Sequence, residues 1–147
     1  MITAAARRFL YSLIAPILAA AGWTWTPPGT STPKPRLFHG VAPTGAPYPL
    51  VVFQMLSPGN DLHTQDGSDI YSTPLYLVKA VAQGSGTDAI EPIVDAIDDA
   101  IHNARGGVSG GRVIECWRER QHDLPEVTDG RFYSNLGAEY RLAVQEA

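Results

Sequence analysis

Two periods alternate along this chain. From 2 to 21 the apolar residues Ile2, Ala6, Phe9, Leu10, Leu13, Ile14, Ile17 and Ala21 fall near helical spacing, the mark of a helix with one buried face. Ala46-Pro47-Tyr48-Pro49 then leads into a β-branched and aromatic run over 50–57. Proline fixes φ and biases its predecessor towards extended geometry, so a strand starts there. Residues 70–83 read as a long strand with Pro74 near its beginning. Alternation puts Tyr76, Val78, Ala80 and Ala82 on one face and Leu75, Leu77, Lys79 and Val81 on the other. Both faces are largely apolar, so each needs cover, from this chain or from another.

Helical period returns after Gly84-Ser85-Gly86. Asp88 and Glu91 have the N-cap and N3 spacing of a capping box, Pro92 is tolerable in a first turn, and Ile90, Ile93, Val94, Ile97, Ile101 and Ala104 form one stripe. Gly106-Gly107 is expected to stop the helix. Strands follow over 112–121 and 131–145, with turns through Asp123-Leu124-Pro125 and Asp129-Gly130 between them. In the last strand Ala138, Tyr140, Leu142 and Val144 alternate with Glu139, Arg141, Ala143 and Gln145. With a short strand at 36–40, the order is α-β-β-β-α-β-β. This is an α+β fold: an antiparallel-rich sheet with two helices on one face.

The 147 residues fit a single domain, with an N-terminal helix over 1–22, an extended Pro-rich arm over 23–47, and the sheet and second helix over 48–147. Within the arm, Pro27-Pro28-Gly29 and Pro33-Lys34-Pro35 stop helix and interior strand alike. Trp23 and Trp25 fall on one side of it if it is extended. They either cap the core beneath the arm or pack on a neighbouring subunit, where tryptophan is a favoured anchor. Arg7-Arg8 before an uncharged run, with Ala19-Ala20-Ala21 after it, also has the look of a secretory signal. With Met1 at its head, the segment is expected to be a retained structural helix. Pro16 and Gly22 leave it too short in apolar residues to span a membrane.

Composition narrows the function. Charged residues make up 18% of the chain, below the usual ~25%, which suits a surface partly covered by partners. A net charge of −4 argues against a duplex-binding protein, which needs a clustered basic face. Cys116 is the only cysteine, so no intramolecular disulfide forms.

The apparent catalytic signals fail on context. Gly107-Val108-Ser109-Gly110-Gly111 matches G-x-S-x-G, but a nucleophile elbow needs a strand before it and a helix after it, and here the order is reversed. A small secreted hydrolase using Ser109 is therefore the disfavoured alternative. Gly84-Ser85-Gly86-Thr87 opens a helix but lacks the lysine and spacing of a phosphate loop, and Asp88 and Glu91 would repel an anion. Asp95, Asp98, Asp99 and His102 crowd one helical face without a second carboxylate motif to complete a metal site, so they read as a solvated acidic face. Asp61, His63, Asp66 and Asp69 depart from calcium-loop spacing. Cys116, between Ile114 and Trp117, reads as a buried structural thiol. His39 and His122 have no convincing partners. No catalytic, cofactor-binding or metal-ligating residue is assigned. Asp98→Ala and Ser109→Ala are expected to be nearly silent.

Tyr48-Pro49-Leu50-Val51-Val52-Phe53 opening the sheet, Tyr76-Leu77-Val78-Lys79-Ala80-Val81 in the central strand and the 93–101 helix give an element order that resembles the tail-terminator (tail-completion) proteins of long-tailed bacteriophages. The resemblance implies a homo-oligomeric ring, typically a hexamer. It would bind the tail tube protein at the head-proximal end of the tail, stop further tube subunits adding, and present a surface to the head-tail connector protein. It implies a virion component assembled in the host cytoplasm, with no cofactor. Trp23, Trp25, Leu75, Leu77 and Val81 are the candidate subunit-interface residues. Asp95, Asp98 and Asp99 are the candidate acidic lining of a lumen through which DNA passes without specific binding. Six copies would carry a charge of about −24. Another tail or neck component, such as a tube subunit or a connector-completion protein, is the alternative.

Overall fold

The structure, a computed structural model, describes residues 2–63, 70–84 and 86–146. Asp66 and Asp69 of the candidate cation group, and Ser85 of the Gly-rich connector, lie outside the described residues.

Helix α1 spans Ile2–Ala20 and buries Ala5, Ala6, Phe9, Leu10, Ile14 and Leu18 along one face. Each full burial of a leucine or isoleucine is worth roughly 1.5–3 kcal/mol. A proline inside a helix interrupts or kinks it, yet α1 runs through Pro16. Its ring lies on the exposed side, where the one lost backbone bond leaves a carbonyl that water can reach.

The segment that reads as an extended arm lies folded against the body. Strands β1 (Thr24–Trp25) and β2 (Lys34–Pro35) pair as a small antiparallel hairpin, and β3 (Leu37–His39) adds in parallel to β4 (Leu50–Ser57). Arg36 fastens the junction: its backbone N–H donates to Trp23 O at 2.9 Å, and its guanidinium donates to Pro49 O at 2.9 Å. The Tyr48–Pro49 peptide is cis.

The expected 70–83 strand is two pieces, β6 (Ile70–Ser72) and β7 (Leu75–Gln83), which pair with the same long strand β10 (Arg131–Glu146) on either side of Thr73-Pro74. Strand β5 (Asp61–His63) extends the sheet beyond β6. On its other side β10 pairs along its length with β9 (Gly111–Thr128), and β8 (Gly106–Val108) pairs with the start of β9. The pairing is antiparallel throughout, except between β3 and β4.

Helix α2 spans Glu91–Ile101 and packs with α1 on one face of this sheet, so the α+β architecture with both helices on one side holds. Its stripe packs as expected, with Ile90, Ile97 and Ile101 buried. The capping box does not form. Ile90 occupies the N-cap position without a side-chain cap, while the Thr87 carbonyl accepts from Ile90 and Glu91 N–H, both at 3.0 Å. Gly106-Gly107 does not end α2 either, because they form β8. The chain leaves the helix through Asn103, at φ 64°, whose N–H donates to Cys116 O.

Between helices and sheet lies the main core, where Phe53, Tyr76, Val78, Cys116, Tyr140 and Leu142 meet the two helices. On the opposite face Leu50, Val52 and Val81 form a second, smaller cluster, covered by Phe38, Ala42, Ala46 and Tyr133. The second apolar face of the central strand is thus partly covered by the chain's own 38–48 segment.

Candidate interaction surfaces

The five candidate interface residues separate into two groups. Trp23, 9% exposed, belongs to the main core, and Val81, 8% exposed, to the second cluster. Both are consumed within the chain. Trp25 is half-buried with its ring edge-on to Phe38, centroids 6.0 Å apart. Leu75 and Leu77 are also half-buried, and Leu77 borders a groove with Lys79, Leu124 and Pro125. Those three keep surface to offer a neighbour.

The acidic trio separates too. Asp95 and Asp99 are exposed, but Asp98 turns inward. Its Oδ1 accepts from the Tyr140 hydroxyl at 2.7 Å and its Oδ2 from Arg118 at 2.9 Å, tying α2 to β9 and β10. The expected near-silence of Asp98→Ala is therefore corrected. Truncation strands the hydroxyl of a tyrosine that is 1% exposed, and an unsatisfied buried polar group costs about 1–3 kcal/mol. The Arg118 pair is partly solvated and adds little. Chemical denaturation should show a loss of that size for Asp98→Ala, and a clearly smaller further loss when Tyr140→Phe is already present. Equal losses in both backgrounds would mean the bond contributes nothing.

Other polar contacts lie along the β9–β10 pair. Glu139 is buried and faces His122 at 3.0 Å and Arg120 at 3.3 Å. Arg141 donates from Nε to Glu119 at 2.9 Å and from a terminal nitrogen to Thr73 O at 2.8 Å, which bridges the break between β6 and β7. That contact holds the Glu119 carboxyl below its usual range. His122 thus lies close to a carboxylate that its sequence neighbourhood did not reveal, although its Nε2 makes no hydrogen bond there.

Ser109 sits on the exposed turn between β8 and β9, and its carbonyl accepts from Arg8 at 2.8 Å. The G-x-S-x-G stretch is therefore a β-hairpin. Among the described residues no three His, Cys, Asp or Glu side chains gather to hold a metal ion, and no helix is long and apolar enough to cross a membrane.

Burial pushes the Cys116 thiol up to about 12, with Glu115 adding to the effect. Burial also raises the Tyr76 phenol, and for Tyr140 the bond to Asp98 adds to it. An unfolded chain releases these protons at the ordinary values of 9.0 for the thiol and 10.0 for the phenols. The native state holds them longer, so their contribution is fully present below about pH 9 and is lost as pH rises. Each group withdraws about 1.4 kcal/mol per pH unit between its unfolded and folded values. Thermal midpoints should hardly change between pH 7 and 8.5, then fall steeply from pH 9.5 to 11. A flat profile to pH 11 would mean these groups are not held protonated.

Two surface features lie on opposite margins of the sheet. On the β3–β4 side, Arg7, Arg8, Tyr11 and Ser12 of α1 face His39 and Phe53 across a cleft of about 350 Å³. The His39 and Phe53 rings meet edge-on at 5.2 Å, and burial and then Arg7 lower the His39 pKa. Arg7 makes no ion pair or hydrogen bond among the described residues. At the other margin, the β9–β10 hairpin closes on Asp129-Gly130, both at positive φ as a tight two-residue turn requires. Leu124 is 59% exposed there and Val127 68%.

No curated protein sequence matches the chain closely enough to count as a relative. Among solved structures, a chain of the virion of a native gene transfer agent (GTA) particle aligns with TM-score 0.69 over 98% of this chain and 97% of that one, at 16% identity. At that identity the likeness shows a shared fold. The sequence model of tail completion protein gp17 matches residues 27–135, most of the chain. This protein therefore belongs to the tail completion protein gp17 family and is a structural protein of the phage tail, not an enzyme.

Proposed function

We propose that copies of this chain close into a ring, sixfold in the arrangement the sequence resemblance implies. The ring caps the head-proximal end of the tail tube, stops its polymerisation and joins the tail to the head connector. Membership of the tail completion family carries this reading. Partial exposure of Trp25, Leu75 and Leu77 supports it, since an apolar surface of this kind is buried when neighbours close a symmetric assembly. Asp95 and Asp99 give the ring an acidic surface past which DNA slides without binding.

A cap acts by occupying the surface that the next tube ring would use, so its loss removes a stop and leaves initiation intact. Deleting the gene should give filled heads apart from tails, with the tails irregular or excessive in length by electron microscopy. Heads with no tails and no free tubes would identify a tube subunit or initiator instead. Normal joined particles would overturn the assembly reading.

A further inference from the structure

We infer that the tip of the β9–β10 hairpin of one copy docks into the cleft between α1 and the β3–β4 margin of the next copy, which sets the contact that closes the ring. This rests on the ring reading above and names the two surfaces it uses. The charges are complementary. From 123 to 130 the tip carries Asp123, Glu126 and Asp129 with no lysine or arginine, around exposed Leu124 and Val127. The cleft presents Arg7 and Arg8 over an apolar floor of Tyr11 and Phe53.

Arg7 lies beside His39, which burial and then Arg7 drive towards its neutral form, so the cleft's cationic character comes from the two arginines. An apolar tip with acidic flanks supplies both things such a site takes: a side chain for the aromatic floor and carboxylates for the guanidinium groups. Position decides that the contact is between copies. The tip belongs to the β9–β10 pair at one margin of the sheet, and the cleft, which includes Phe53 of β4, lies at the other, with β7 between β4 and β10. Different patches meeting head to tail generate a ring when the rotation closes.

The test uses the full chain carrying Tyr11→Cys together with Val127→Cys. Native Cys116 is buried and does not compete. On mild oxidation the double variant should give a ladder of covalently linked chains on a non-reducing gel, while each single variant runs as one chain. Arg7→Glu should lower the fraction of chains in rings at least tenfold by native mass spectrometry. Asp123→Arg with Asp129→Arg in the same chain should restore most of it. Rings by native mass without a ladder would overturn this pairing and leave the ring reading standing. Single chains only, both in solution and on isolated tails, would overturn the ring reading and this inference with it. Linkage of the Tyr11→Cys variant to a different tail protein would assign the cleft to that protein and overturn the inference alone.

Discussion

Ile97→Asp is expected to give insoluble or unfolded protein, because Ile97 is 3% exposed at the middle of the α2 face that closes the main core. An unpaired carboxylate there costs several kcal/mol to bury, against a total stability of roughly 5–15 kcal/mol for a domain of this kind. Ile97→Ala separates polarity from volume. It should remain folded with a loss of about 2–5 kcal/mol, the cost of the cavity left behind. Soluble Ile97→Asp protein that unfolds cooperatively at the wild-type midpoint would mean that this face of α2 is not buried.

Gly137→Ala should be nearly as damaging, although it adds a single methyl group. Gly137 lies mid-strand in β10, opposite Lys79 on one side and His122 on the other. A Cβ there would collide with the Val78 carbonyl oxygen and stand 2.6 Å from Lys79 Cα. Both obstacles are backbone atoms of the adjacent strand, so neither can move aside as a side-chain tip would. Overpacking against side chains costs about 1–3 kcal/mol, and a backbone obstacle puts this substitution at or above the top of that range. For a chain of this size, that corresponds to a thermal midpoint lower by on the order of 10 °C. Gly107→Ala is the control, since nothing stands within 4 Å of its added methyl group. Equal midpoints for the two variants would show that the strands separate easily at Gly137.

Elements with one strong period were legible in the sequence. The buried faces of α1 and α2 follow from 3.6-residue spacing, and the core side of β7 and β10 from strict alternation. What escaped depended on partners distant in the chain. Strand β9 runs to Thr128, well past the expected end near Gln121, because its polar half is held by β10 and needs no apolar run of its own. Pro125 reads as a turn, yet it pairs opposite Ser134 on an edge strand, where a missing N–H is tolerated. Gly106-Gly107 reads as a helix stop because glycine ends helices, but the hairpin with β9 claims both residues.

The candidate surfaces show the same limit. Asp98 shares a helical face with Asp95 and Asp99, and nothing local marks it as different. Its partner Tyr140 is 42 residues away. Trp23 and Val81 look like interface residues in a linear reading because their cover, α1 for one and the 38–48 segment for the other, is set by the fold. In the sequence the hairpin tip has only the marks of two turns and the arginines of α1 only those of a leader, since each gains meaning from its position at a margin of the sheet.

The second cluster on the outer sheet face has a kinetic consequence. Leu50, Val52 and Val81 are covered mainly by Phe38, Ala42 and Ala46 of the loop-rich 38–48 segment, with Tyr133 of β10 beside them, and that segment contributes no residue to the main core. Lifting that segment exposes three buried side chains while the helices and the inner face stay packed. Amide hydrogens of residues 40–48 should therefore exchange through a local opening far cheaper than global unfolding, and those of β10 only with the whole molecule. A limited protease should find the same door, nicking the segment ahead of Tyr48 while the remaining body stays cooperative. In an assembled particle, contacts on this flank would close that door, making the rate of cleavage there a simple gauge of whether a copy is free or incorporated.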